Sequence, residues 1–583
     1  MEKRTPTSAR GRIARAVGWL LLSVLPATPS GAAGQATALV PLDDRSYEIL
    51  DRLTAQLPLQ ELVHGQRPYT RRAFARLTVQ AREALGRVSA GSSPLPPARR
   101  AHLESLLAAL EGRYAAELRR LDGDDPRSPP AALDLLRLEA TSADSPFRGF
   151  VNNGLGNVDS ALVNPLLDER WGRELSDGGT LALEAELRAG LGPYLAAFAS
   201  PRLSYHLPRS PWARAVSLPS SEESVRVSGG GEEDADVLLR HGALRGKLGG
   251  WALQVGRAPL RRGQGRRAAV LFSDNAPPLD MVYLESEDPF RLPWILRALG
   301  PTRFSAFLAD LGADQNFPRA QLYGNWLTFR PARRLELGGG FVVHSGGEGS
   351  PEQTFWERVG DYLIFVDIFF KPTSDFTASN KIAGVDFRLS LPEAGLVVYG
   401  EFYMDDFRVQ RWSSVGEILW PDAGHVLGIS FPRLDGTGRM SGWAEYQHTG
   451  LRLYRHSPFT SGVVQRRWFL GNALGPHANA VKGGLDFLPS VSSTVSLEVG
   501  WDSRSHDWWS APEEPVFHFQ KLGDAPEEER VRARLSWERR PLEGGLGWRA
   551  ELGGERVTNL GFEEGEGATN AVLQVVIAWA PRR

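Results

Sequence analysis

Five arginines crowd the stretch GRAPLRRGQGRRAAVLFSDNAPPLD: Arg257, Arg261, Arg262, Arg266 and Arg267. Guanidinium groups grip carboxylates and phosphates through paired N–H donors, so the cluster has the chemistry of an anion site. Its glycines also suggest a phosphate-cradling loop. That reading fails, because no Lys-Ser/Thr follows the glycines, no helical pattern comes after them, and G-x-G-x-x-G is missing. An acidic polysaccharide or lipopolysaccharide remains as the expected ligand. The alternative is internal, with the arginines neutralised by Asp and Glu of the same fold.

A second candidate lies in SRSHDWWSAPEEPVFHFQ, where Trp508 and Trp509 could stack on sugar faces; packing within the loop is the competing role. Catalytic chemistry has less to stand on. Cysteine is absent, and the 11 histidines show no H-E-x-x-H or paired metal spacing. No G-x-S-x-G elbow occurs. We therefore expect no enzyme, no metal and no cofactor.

The elements that would position these residues begin after residue 36. Residues 1–36 read as a secretion signal: Lys3, Arg4, Arg10, Arg12 and Arg15 precede an apolar run from Ala16 to Leu25, then small residues near Ala33 and Ala36. The run is about half the roughly 20 residues of a membrane helix. The whole chain of 583 residues carries a formal charge of −2, and losing five basic and one acidic group leaves −6. Such a chain offers no basic field for nucleic acid.

Residues 37–130 are expected to form a helical domain. RSYEILDRLTAQL spaces Tyr47, Leu50, Leu53 and Leu57 on one face, TRRAFARLTVQAREALGRV starts on a Thr70 cap, and ARRAHLESLLAALEGRYAAELRRL reads as one third helix. The run DGDDPRSPP then marks a boundary.

Over residues 131–583 the period becomes two. In STVSLEVGWDS, Val495, Leu497, Val499 and Trp501 share a face opposite Ser496, Glu498 and Asp502. A soluble sandwich and an outer-membrane barrel both produce this alternation. Segments of about ten residues, longer than the usual five or six, favour the barrel. So do aromatics at strand ends (Trp501, Trp537, Trp548, Trp579). Short turns, as at 249–250, 331–334, 392–395 and 489–492, alternate with long loops at 206–233, 345–378, 405–423 and 503–529. Consistent alternation demands a strand within 268–287 and leaves 457–475 in a loop, for a mostly β, antiparallel barrel of about 18 strands. The last segment, NAVLQVVIAWAPRR, suits recognition by barrel-assembly machinery.

Several stretches resemble the Wzi-like capsule assembly family of bacterial outer membranes: GQRPYTRRAFARL, SDNAPPLDMVYLES, FSAFLADLGADQNFPRAQLYGNWLTFRP, HSGGEGSPEQTFW and NKIAGVDFRLSLPEAGLVVYGEFYMDD. The likeness runs from about Pro41 to the C-terminus and is strongest between Val255 and Asp406. It implies an 18-stranded barrel with periplasmic helices, in contact with outer-membrane lipid and lipopolysaccharide, holding capsular polysaccharide in a lectin-like role. A porin-like channel for anionic or sugar solutes is the alternative.

Overall fold

The computed structural model describes residues 36–582 except 58, 90–94, 124–130, 145–147, 150–161, 164–177, 209–233, 314, 363–378, 406–422, 455–458, 460, 467 and 511–519. Residues 1–35 of the expected secretion signal and most of the boundary run after Leu121 fall outside the described residues.

Eighteen antiparallel strands close into one barrel. In chain order they are β1 (Ala132–Ala143), β2 (Gly178–Gly190), β3 (Leu195–Pro208), β4 (Asp234–Leu248), β5 (Trp251–Ala258), β6 (Leu279–Ser286), β7 (Pro301–Asp310), β8 (Gln321–Ala332) and β9 (Leu335–Ser345). The second half comprises β10 (Ser379–Leu391), β11 (Leu396–Asp405), β12 (Ala423–Phe431), β13 (Met440–Thr449), β14 (Ala478–Ser490), β15 (Ser493–Arg504), β16 (Glu528–Arg539), β17 (Gly545–Thr558) and β18 (Gly567–Ala580). Each strand pairs with its neighbours in sequence, and β1 closes the ring on β18 with Leu138 opposite Ile577. The strand expected within 268–287 is β6, and 457–475 lies in the loop after β13.

Burial decides between lipid and a second protein layer. Leu497, Val499, Leu535 and Trp537 are about half exposed, while Asp502 and Arg530, opposite each other on the same two strands, are buried and joined at 2.8 Å. An apolar outside and a charged inside invert the soluble pattern and match a barrel in lipid. Inside, arginines and carboxylates neutralise one another: Arg303 meets Glu285 at 2.5 Å, Arg240 meets Glu184 at 2.8 Å, and Arg202 meets Glu139 at 3.2 Å. Trp501 lies toward the long-loop end of β15, whereas Trp537, Trp548 and Trp579 lie toward the short-turn ends of their strands. Among the described residues no helix is long and apolar enough to cross a membrane.

Among the described residues four helices precede the barrel: α1 (Arg45–Gln56), α2 (Arg71–Ser89), α3 (Pro97–Arg113) and α4 (Ala115–Leu121). Asp44 caps α1 by accepting the Ser46 N–H at 2.8 Å, and the Thr70 hydroxyl accepts the Ala73 N–H at 3.1 Å. The expected single third helix breaks at Tyr114. There the backbone leaves helical geometry (φ −111°, ψ 20°), the ring stacks on Phe74 at 5.1 Å, and its hydroxyl donates to Ser46. Packing of that ring overrides helical continuity. The helical core (Leu50, Leu53, Phe74, Leu103, Leu106) continues into Leu488 and Leu542 beside two short turns, so the helices sit against the short-turn rim.

Candidate functional site

Two segments meet inside the barrel. The connection after α1 rises from the short-turn rim, and the loop 259–278 descends between β5 and β6. Gln66 and Arg67 pair antiparallel with Arg262 and Arg261, and the Gly263 N–H donates to the Gly65 carbonyl at 3.0 Å. The glycine- and arginine-rich stretch is thus an internal arm.

Carboxylates on the barrel wall hold its backbone. Glu401 of β11 accepts the N–H groups of Gly265 at 2.6 Å and Val270 at 3.0 Å. Glu445 of β13 accepts those of Arg266 at 2.6 Å and Arg267 at 3.2 Å. The Gln264 amide bridges Glu336 of β9 at 2.9 Å and Asp386 of β10 at 2.7 Å. Successive N–H groups in a glycine-rich turn favour an anion, and here the anions belong to the chain itself. Gly263 has φ +112°, and a Cβ there would overlap the Glu401 carboxylate; one at Gly265 would strike the Ala268 carbonyl. Only glycine lets the arm lie so close to the wall.

The five arginines separate. Arg257 continues the outward row of Leu253 and Val255 at the long-loop end of β5 and pairs with Asp280 of β6 at 2.5 Å, away from the arm. Arg262 is buried, donating to the Arg67 carbonyl at 2.6 Å and the Tyr283 hydroxyl at 2.9 Å. Arg261 binds Asp274 at 3.0 Å and two carbonyls of the arm. Arg266 pairs with Asp486 at 2.5 Å, Arg267 with Glu498 at 2.7 Å, and Arg266 lies 5.1 Å from the Trp443 ring centroid. Four of the five meet a carboxylate of the same chain, and Arg262 is held by carbonyl and hydroxyl oxygens instead. Trp508 and Trp509 sit on a short hairpin strand, Trp508–Ser510, paired with Gln520–Gly523 in the loop between β15 and β16. The structure therefore brings Arg261, Arg262, Arg266 and Arg267 together and leaves Arg257, Trp508 and Trp509 apart from them.

An apolar core seals the arm from the long-loop side. Val270, Leu271 and Phe272 pack with Leu453, Tyr454, Trp468 and Phe469 of the loop after β13, against Phe307 and Trp326 of the wall. Below the arm, toward the short turns, a cavity of about 330 Å³ is bounded by α1, the arm and the wall. Its residues include Arg45, Arg52, Arg67 and Arg388, which sequence reading did not single out. Their signal was faint: Arg388 is one of several polar alternates in β10, and the α1 pair looks like a solvated face. Beside the cavity, burial and the nearby Arg388 push His64 down to about 4, against the pull of Glu336. The imidazole is neutral near pH 7, so its 3.3 Å contact with Glu336 is a hydrogen bond. Among the described residues no group of His, Asp and Glu could hold a metal.

Known proteins share this architecture. The family model for the capsule assembly protein Wzi matches residues 151–572. An uncharacterised 55.8 kDa protein in the cps region of Klebsiella pneumoniae is 27% identical over 191 residues, which is 32% of this chain and 36% of that relative's length. The Wzi structure from Escherichia coli, described as an outer membrane protein involved in group 1 capsule assembly and a carbohydrate-binding β-barrel, superimposes with a TM-score of 0.56. The identity is 15%, with 93% of this chain and 99% of that one covered. With a family match across most of its barrel, this outer-membrane chain belongs to the Wzi capsule assembly family.

Proposed function

We propose that the barrel holds capsular polysaccharide at the cell surface as a lectin-like, non-enzymatic anchor. The observation that carries this reading is the filling of the lumen from both ends: helices on the short-turn rim, the carboxylate-held arm in the middle, and an apolar core above it. A conducting pore needs a continuous aqueous path, and this packing favours retention over transport. By the rule that short turns face the periplasm, residues 37–130 form a periplasmic domain under a barrel of residues 131–583. Residues 1–36 direct export, and the terminal strand engages the barrel-assembly machinery.

Glycan contact falls to the long-loop rim, where Trp508 and Trp509 stand on their hairpin. Arg261, Arg262, Arg266 and Arg267 support that rim from below. Arg257, at the outer end of β5, is placed to meet lipopolysaccharide phosphates. The experiment is titration of the detergent-solubilised protein with capsular polysaccharide from its own strain. Saturable binding, weakened when Trp508 and Trp509 are both changed to Ala, is expected; absence of binding by the unaltered protein overturns the reading.

A further inference from the structure

We propose that the cavity beneath the arm binds a small oxyanion, a carboxylate or a phosphate. Nine arginines and six carboxylates line it. Several of those arginines are satisfied: Arg67 by Asp51 at 2.6 Å, Arg266 by Asp486, and Arg261 and Arg267 by carboxylates just behind the lining. Arg388 is different. No carboxylate pairs with it among the described residues, its Nε is buried without an acceptor, and its guanidinium lies 5.8 Å from the Tyr399 ring centroid. The carboxylates nearby are already engaged, Asp51 by Arg67 and Glu336 by the N–H groups of His64 and Gly65.

Two arginines of α1 face the same cavity with donors to spare. Arg52, 5% exposed, gives its Nε to Glu48 at 3.3 Å, and its Nη1 meets no acceptor among the described residues. Arg45, 3% exposed, gives its Nε to the Val491 carbonyl at 2.9 Å, and neither Nη makes a hydrogen bond. Its nearest carboxylate, on Glu538, is 3.6 Å away. Buried guanidinium groups with unspent donors are costly unless an anion completes them. The planar forks suit a carboxylate or a phosphate. The cavity lies on the short-turn side of the arm, so the inference does not rest on glycan binding at the opposite rim.

The test is isothermal titration of the full-length protein in detergent and chloride buffer, with inorganic phosphate and with glucuronate as separate probes. Saturable binding of at least one probe is expected. Arg388→Gln should weaken it at least about tenfold, the loss of a charge-assisted hydrogen bond. Arg334→Gln, which alters an exposed rim arginine paired with Glu393, should leave it unchanged. Phosphate binding alone names the source as phosphate, and binding of both names a general oxyanion site. Heat-modifiable migration on gels checks that the variants fold, and Arg52→Gln repeats the test from the helix side should Arg388→Gln not assemble. No saturable binding by the unaltered protein, or unchanged affinity in folded Arg388→Gln, overturns the proposal.

Discussion

The carboxylate of Glu401 and the backbone N–H of Gly265 are joined at 2.6 Å inside the barrel. The bond ties an arm entering from the long-loop rim to the middle of the wall, and Val270 shares the same carboxylate. Glu401→Leu would leave two N–H groups without their acceptor. Each such loss costs about 1–3 kcal/mol when the group stays buried. Residues 263–270 should therefore exchange amide hydrogen faster, read by mass spectrometry, while exchange in β1 and β18 stays unchanged. Unaltered protection of the arm would contradict its dependence on Glu401.

The helices carry a prediction in pH. Arg71 grips Glu117 with two hydrogen bonds, at 2.6 and 3.1 Å, and both residues are buried. Burial alone would raise the Glu117 carboxyl, but the Arg71 guanidinium holds it below the ordinary value of 4.5. A depressed folded pKa stabilises above the unfolded value and is lost as pH falls through the folded one. The helical segment should thus keep its stability above about pH 4.5 and lose it progressively below that. Thermal melts followed at 222 nm check this. Glu117→Ala should cost about 3–5 kcal/mol, because it strands a buried guanidinium, and should abolish this contribution to the acid dependence.

Much of the wall was legible in the sequence. The two-residue period in β15, β16 and β18 is local, and lipid enforces it along every strand. The arm was not, because its partners lie far away: Glu336, Glu401, Glu445 and Glu498 come from four strands that approach only when the barrel closes. Proximity in sequence groups Arg257 with the other arginines, although its parity with Leu253 and Val255 places it outside. The break at Tyr114 was hidden for the same reason as the arm, since the ring answers to Phe74 and Ser46 rather than to its own helix.

Arg257 and Arg262 should respond differently to removal. Arg257→Ala loses an outward, partly exposed pair, and such pairs are worth about 0–1 kcal/mol. Arg262→Ala removes a buried group that joins Arg67, Tyr283 and Ser305, and several hydrogen bonds lost together should cost about 2–3 kcal/mol. Chemical denaturation in detergent ranks the two, and equal losses would contradict their separate placements.

Planar bilayers test the filled lumen. The unaltered protein should show no large, steady conductance steps. Replacing 259–278 with a Gly-Ser linker removes the arm and its share of the apolar core, so frequent openings are expected. Porin-like steps from the unaltered protein would favour the channel reading.

Capsule retention is tested most directly by measuring cell-bound and released polysaccharide in a strain lacking this chain. An anchor predicts that polysaccharide moves from the cell surface to the medium while total synthesis holds, and that the restored gene reverses the shift. A strain whose cell-bound capsule is unchanged without the protein would contradict it.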